Sequence, residues 1–367
     1  MVAMALDFPG MSVPIPGDES YITALDIDDR QVVYGGTGGR KAHLFAAFTR
    51  GLTHVVIDMC VVQEDARTTA VLAGPDGGVF AATAPGGSVA AGEPRNEDGE
   101  GAIYTHGAIP TPYDLIHEWH FIVSPAEKLT VPLPGEGIAC AILGPGRKRI
   151  YGMGERSGTL FACDAATGGT ETLAVVDDRG FFSRTIVLGP DRMIYGTGIL
   201  GKLWRLDPES GLFDWVGAAI PTQAGRAPRN QAESFAVDRA RGIIYGAGSA
   251  DGILFAFDPA SGRVRSLGKT TTFRGARGLV VTNDGRLFGI SGRQGDIGHL
   301  FCYDPDEHEL RDLGLLAALR GPRIYGYEFS CGVVDRDGHV FFGQHERGGH
   351  LWQYCPAIRR TPPPAGT

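Results

Sequence analysis

The residues best equipped for chemistry are arginines. Only five of the 34 basic residues are lysine, which leaves 29 arginines. Several recur in one pattern: Arg226-Ala227-Pro228-Arg229, Arg274-Gly275-Ala276-Arg277 and Arg320-Gly321-Pro322-Arg323, with Arg179 and Arg184 in an earlier equivalent stretch. A guanidinium stays charged and presents a planar fork matched to carboxylate, sulfate or phosphate, each good charge-assisted hydrogen bond being worth about 1.5–3 kcal/mol. The spacing therefore points to an anion site. The competing reading is that repeated loops inherit repeated residues, and that the arginines pair with nearby carboxylates such as Glu155 and Glu346. Near these runs lie His106, His345 and the pair Tyr325 and Tyr327, all in irregular stretches. Histidine titrates near neutral pH, and a tyrosine desolvated beside arginine can exchange a proton with a sugar oxygen.

The elements that must hold these residues are short strands in a repeat. An aromatic followed by a small residue recurs at Tyr34-Gly35, Phe80-Ala81, Tyr151-Gly152, Tyr195-Gly196, Tyr245-Gly246, Phe288-Gly289 and Phe342-Gly343. A second motif follows in step: His43-Leu44-Phe45, Leu160-Phe161, Leu203-Trp204, Leu254-Phe255, His299-Leu300-Phe301 and His350-Leu351-Trp352. Turns of the Asp-Pro type at Asp207, Asp258 and Asp304, and Asp164 at the equivalent place, close each unit. From Tyr151 onward the period is the roughly 45–50 residues of a four-stranded propeller blade. The expected fold is all-β: a seven-bladed β-propeller of four-stranded antiparallel blades, its ring closed by a strand from the N-terminal segment. Residues 1–358 would form one propeller domain and 359–367 a Pro-rich tail. Between Phe80 and Tyr151 lie 71 residues, against 44 between Tyr151 and Tyr195, so blade two should carry an insertion over about 85–130. The strand tyrosines Tyr34, Tyr151, Tyr195 and Tyr245 read as packing between blades.

In such a ring the first strand of each blade lines a central channel. Blade-to-blade crossings and second-to-third loops share one face, and the arginine runs fall there. Arg184 and Arg277 stand two residues before Ile186 and Leu279, where the chain enters the channel wall; Glu233 and Ser330 hold the equivalent positions. Arg40, Arg156, Arg293 and Arg347 sit on second-to-third loops of the same face. Positive charge is thus expected to gather at one mouth, with Glu233 and Glu328 the nearby acids. His106, His345, Tyr325 and Tyr327 are expected to reach that mouth.

Composition excludes several classes. A net charge of −8 argues against nucleic acid and anionic membrane as partners. No run of eighteen apolar residues and no signal-peptide pattern is present, so a cytoplasmic location is expected. Six scattered cysteines read as buried thiols rather than a disulfide framework. Neither a Walker loop, a nucleophile elbow nor HExxH occurs, and Gly35-Gly36-Thr37-Gly38-Gly39 leads into a strand with no helix to hold a phosphate. His43, His299 and His350 share one repeat position and are expected to be structural. His117, His120 and His106 form the weaker possibility of a zinc site. No cofactor is expected, with a divalent metal left open and oligomeric state unassigned.

The seven-bladed ring, the arginine-lined mouth and the loop His and Tyr residues together resemble the propeller-type polysaccharide lyases acting on ulvan or rhamnose-glucuronate linkages. That resemblance implies cleavage of a uronate-containing saccharide by β-elimination. Arg184, Arg226, Arg229, Arg274, Arg277, Arg320 and Arg323 would bind substrate with Glu233 and Tyr325, and His106, His345 and Tyr327 would be the acid-base groups. The alternative expectation is a non-catalytic propeller that binds a protein or a small anionic partner. A metal-dependent lactonase would need converging carboxylates that the spacing does not supply.

Overall fold

A computed structural model describes residues 1–6, 14–49, 55–86, 99–109, 124–271, 275–292, 296–318 and 324–357. Arg274, Arg293, Arg320 and Arg323, the His117–His120 stretch and the C-terminal tail lie outside the described residues. The chain is a β-propeller of four-stranded antiparallel blades. Four are continuous in sequence: Ile138–Leu143 to Thr170–Val175, Val187–Leu188 to Phe213–Ala219, Ala232–Asp238 to Arg263–Gly268, and Ala276–Val281 to Glu309–Leu315. A fifth sheet combines Phe329–Val334, Val340–Gln344 and His350–Tyr354 with Val2–Ala5, which pairs antiparallel with the last of them.

Seven separate sheets were expected, and the structure separates five. Apart from a short two-stranded ribbon, the remaining described strands form one eight-stranded sheet made of two meanders, Tyr21–Ile27 to Val55–Glu64 and Ala66–Ala73 to Glu127–Thr130. A single bridge between Gly38 and Arg67 fuses them. The reason is local: a β-carbon on Gly38 would stand 2.8 Å from that of Arg67, so only glycine lets the two backbones come close enough to pair. Within the 85–130 segment, Ile103–His106 and Glu127–Thr130 are regular strands of the second meander. The extra residues therefore fall on both sides of Ile103–His106 in sequence.

The aromatic-glycine motif has a direct physical cause. Gly35, Gly152, Gly196 and Gly246 pair across strands with Phe45, Phe161, Trp204 and Phe255. A β-carbon on these glycines would fall 2.1–2.3 Å from the facing ring. Glycine is thus the floor on which the third-strand aromatic lies, and burying each ring is worth about 1.5–3 kcal/mol. The preceding tyrosine faces the other way and ties elements together. Tyr151 donates to the carbonyl of Pro208 in the next blade at 2.9 Å, and Tyr245 meets Tyr303 of the next blade edge-on at 6.0 Å. Burial pushes the Tyr34 and Tyr245 phenols up to about 12. The Asp turns form as expected, with Asp207 Oδ1 accepting from the Glu209 amide at 2.8 Å and Asp258 Oδ1 from the Ala260 amide at 3.0 Å. The innermost strands touch one another in sequence around a central cavity, and Tyr21–Ile27 touches Phe329–Val334.

Candidate functional site

The cavity encloses about 630 Å³ and is walled by the first strand of each meander. At the end where these strands begin, six charged side chains form two ion-paired clusters, of which Arg184 and Glu233 line the cavity. Arg67 and Arg184 both donate to Oε1 of Glu155, the second at 2.6 Å. Arg67 also donates to the carbonyls of Pro85 and Gly86 at 2.8 Å each. On the other arc, Arg277 donates through Nε to Glu233 at 2.8 Å and through a terminal nitrogen to Glu328 at 3.2 Å. In chain order the arrangement reads Arg67, Glu155, Arg184, Glu233, Arg277, Glu328. Three positive and three negative charges sum to zero.

Of the arginines expected at a cationic mouth, Arg184 and Arg277 are paired with glutamates, and the competing reading holds for Glu155. Glu346 instead accepts the backbone amide of Tyr327 at 2.9 Å and the side-chain amide of Gln344 at 3.0 Å. The two arcs differ in depth. Arg184 is 60% exposed, so its ion pair is worth about 0–1 kcal/mol. Arg277 is 25% exposed and Glu233 only 9%. Burial works against the charge of Arg277, yet Glu233 and Glu328 outweigh it and hold its pKa above the ordinary value.

The other expected residues separate. His345 is at the mouth: its amide donates to the Glu328 carbonyl at 2.8 Å, its Nδ1 lies 3.3 Å from the Ile22 carbonyl, and its ring meets Tyr21 edge-on at 5.8 Å. Tyr327 is adjacent and 45% exposed. Tyr325 lies half-buried in a two-stranded ribbon formed by Ala317–Ala318 and Ile324–Tyr325. His106 does not join them. It pairs with Val79 at the first-to-second-turn end of its sheet, the face opposite the charged rim. There its ring nitrogens lie 2.7 and 2.8 Å from the carbonyls of Gly107 and Ser124, so it ties the end of its strand to Ser124. Arg226 donates to the Ala250 carbonyl at 3.0 Å, Arg229 is exposed, and neither lines the cavity. The spacing did not single out Arg67 or Tyr21. Arg67 stands two residues ahead of Thr69, itself two ahead of Val71 in the wall. Registering the second meander on the others would have found it. Tyr21 opens the first channel strand, and burial raises its phenol against the pull of Arg347.

The wall also carries Cys140 and Cys331, whose thiols burial pushes up to about 12, and, at the end away from the rim, Arg147 and Arg239. Asp26 lies farther down; burial lifts its carboxyl to about 6 even though it accepts amides from Ile27 at 2.8 Å and Ala73 at 2.7 Å. The one group of potential metal ligands among the described residues, Asp335, Asp337 and His339, is on the opposite face. There Asp335 accepts the amides of Asp337 and His339 and bonds the His339 ring at 2.9 Å, which closes a turn. His43 and His299 are held by carboxylates of their own blades.

No protein-family model matches the sequence, and no curated protein sequence matches it. Solved structures do share the fold. The extracellular domain of the putative one-component system BT4673 from B. thetaiotaomicron superposes with a TM-score of 0.61 at 13% identity, over 96% of this chain and 40% of that one. The extracellular domain of the putative hybrid two-component system BT3049 from the same organism gives 0.57 at 10%, over 95% and 41%. This chain thus spans about two fifths of each. The WD40 β-propeller domain of Doa1 matches at 0.53 and 11%, over 95% of this chain and 96% of that one. At these identities the likeness defines a class by fold, the β-propellers, and nothing narrower.

Proposed function

We propose that the chain is a seven-bladed propeller, with the two meanders of the eight-stranded sheet counted as two blades and Val2–Ala5 completing the last. We propose further that it binds a neutral, polyhydroxylated ligand of the carbohydrate class at the charged end of its channel without transforming it. The supporting observation is the pair of clusters, Arg67–Glu155–Arg184 and Glu233–Arg277–Glu328, at one end of a cavity of about 630 Å³. A hydroxyl group both donates and accepts. Guanidinium and carboxylate groups fixed by one another offer preorganised acceptors and donors side by side, and each bond to a charged group is worth about 1.5–3 kcal/mol. These six charges sum to zero and by themselves add no net attraction for a uronate carboxylate. The cavity volume falls within the range of about 300–1,000 Å³ common to small-molecule sites.

The test is calorimetric titration of neutral hexoses and their oligosaccharides beside the matching uronates. Binding of neutral sugars that Glu155→Gln weakens at least tenfold supports the reading; preference for the uronates overturns it. The lyase remains a second reading because His345, Tyr21 and Arg347 meet at the rim. In that reaction a base at the rim takes the proton beside the carboxylate, the bond to the leaving oxygen breaks as a carbon–carbon double bond forms, and a second group protonates that oxygen. Ultraviolet absorbance of an unsaturated uronate, lost in His345→Ala, would establish it in place of the binding reading.

A further inference from the structure

We propose that the ligand seated at the rim carries an apolar substituent, alkyl or aryl, that descends the channel. This rests on the reading of the rim as the polar end of a small-molecule site. On a strand, residues two apart share a face. The rim-level positions of the first six channel strands are Thr23, Thr69, Cys140, Arg184, Glu233 and Arg277. Two residues deeper on the same strands come Leu25, Val71, Ile142, Ile186, Phe235 and Leu279, all lining the cavity. The polar character of the upper layer is therefore replaced, at one step of about 7 Å down each strand, by a collar of large aliphatic and aromatic side chains. The seventh strand has Gly332 at that level, where a β-carbon would stand 2.6 Å from the carbonyl of Gly278. Only glycine fits there, so this position says nothing against the pattern.

Such a collar is a poor host for water, because it offers no hydrogen bonds, and a good one for a group that needs none. A free sugar would satisfy the rim and leave the collar facing solvent. A glycoside with an apolar aglycone satisfies both. The Gly144–Arg147 turn lines the cavity beyond the collar, which bounds the length of the substituent.

The experiment is methyl NMR on the full chain labelled at Ile, Leu and Val. Methyl, butyl, hexyl and octyl β-glucosides are titrated below their micelle concentrations, with 1-hexanol as a probe lacking the sugar. The expected result is perturbation of the Val71, Ile142, Ile186 and Leu279 methyls and an affinity that rises about fourfold per methylene, which corresponds to ~0.8 kcal/mol per buried CH₂, until the channel fills. Ile186→Trp removes the dependence on chain length. Phe235→Ala, which opens the wall without adding bulk, reduces it, so the conclusion does not hang on one overpacked variant. Perturbations confined to other surfaces, no gain with chain length, or no binding by any probe overturns the proposal. The two readings fail separately: a methyl glucoside bound without any gain from longer chains sinks the apolar collar and leaves the rim. Hexanol bound in the channel as tightly as hexyl glucoside keeps the collar and sinks the rim.

Discussion

Replacing Arg277 by alanine isolates the buried arc of the charged ring. The substitution removes the guanidinium that bonds both Glu233 and Glu328, whose side chains are 9% and 17% exposed. Breaking a buried pair from one side destabilises by about 3–5 kcal/mol. The 25% exposure of Arg277 itself moves the expectation to the lower end, ~3 kcal/mol at neutral pH. Arg184→Ala is the internal control. That side chain is 60% exposed and Glu155 keeps Arg67, so the expected loss is below ~1 kcal/mol. Urea-induced unfolding of both variants at neutral pH measures this directly. Equal losses in the two variants would refute the assignment of a buried and an exposed arc.

Two further outcomes follow from the packing. His43 lies between Asp58 at 3.0 Å and Glu19 at 2.9 Å; burial opposes its charge, but the two carboxylates raise its pKa above the ordinary 6.5. A raised folded value means that the stabilisation is complete below pH 6.5 and is lost as pH climbs through the folded pKa. The difference in unfolding midpoint between the parent and His43→Gln should therefore narrow steadily on the alkaline side; a constant difference would show that His43 acts by shape alone. Gly246→Ala drives a β-carbon to within 2.3 Å of Phe255 and should cost about 1–3 kcal/mol. Phe255→Ala alone should cost about 3–5 kcal/mol. Because the clash disappears with the ring, the double variant should be little worse than Phe255→Ala, which a double-mutant cycle of denaturation midpoints reads out.

The blade architecture was legible because one structural unit wrote itself repeatedly into the chain. Tyr-Gly followed by Leu-Phe or Leu-Trp is the trace of a third-strand ring lying on a second-strand glycine, and each copy reinforces the others. The fusion of two meanders was not legible, since it depends on one close backbone approach at Gly38 and Arg67. The rim was half legible. Register along the strands pointed to Arg184 and Glu233, which line the cavity, and to Arg277 bonded beside them, but charge of one sign was counted by residue type, while pairing is decided by distance. Arg277 and Glu233 are 44 residues apart in sequence and 2.8 Å apart in space. His106 shows the complementary limit. The sequence around it reads as irregular, but the end of the strand to which it belongs fixes the face on which it emerges, and that end was reachable only once Ile103–His106 was recognised as a strand.

The pairing of Val2–Ala5 with His350–Tyr354 has a consequence for how the molecule is made. A chain leaves the ribosome in order, at roughly 5–20 residues per second, and 345 positions separate Ala5 from its partner His350. The earliest strand must therefore wait on the order of tens of seconds before the edge it pairs with has been synthesised. Throughout that interval both exposed borders of the growing arc are open to pairing with other chains, which makes the newly born protein, rather than the finished one, the form most dependent on chaperone protection.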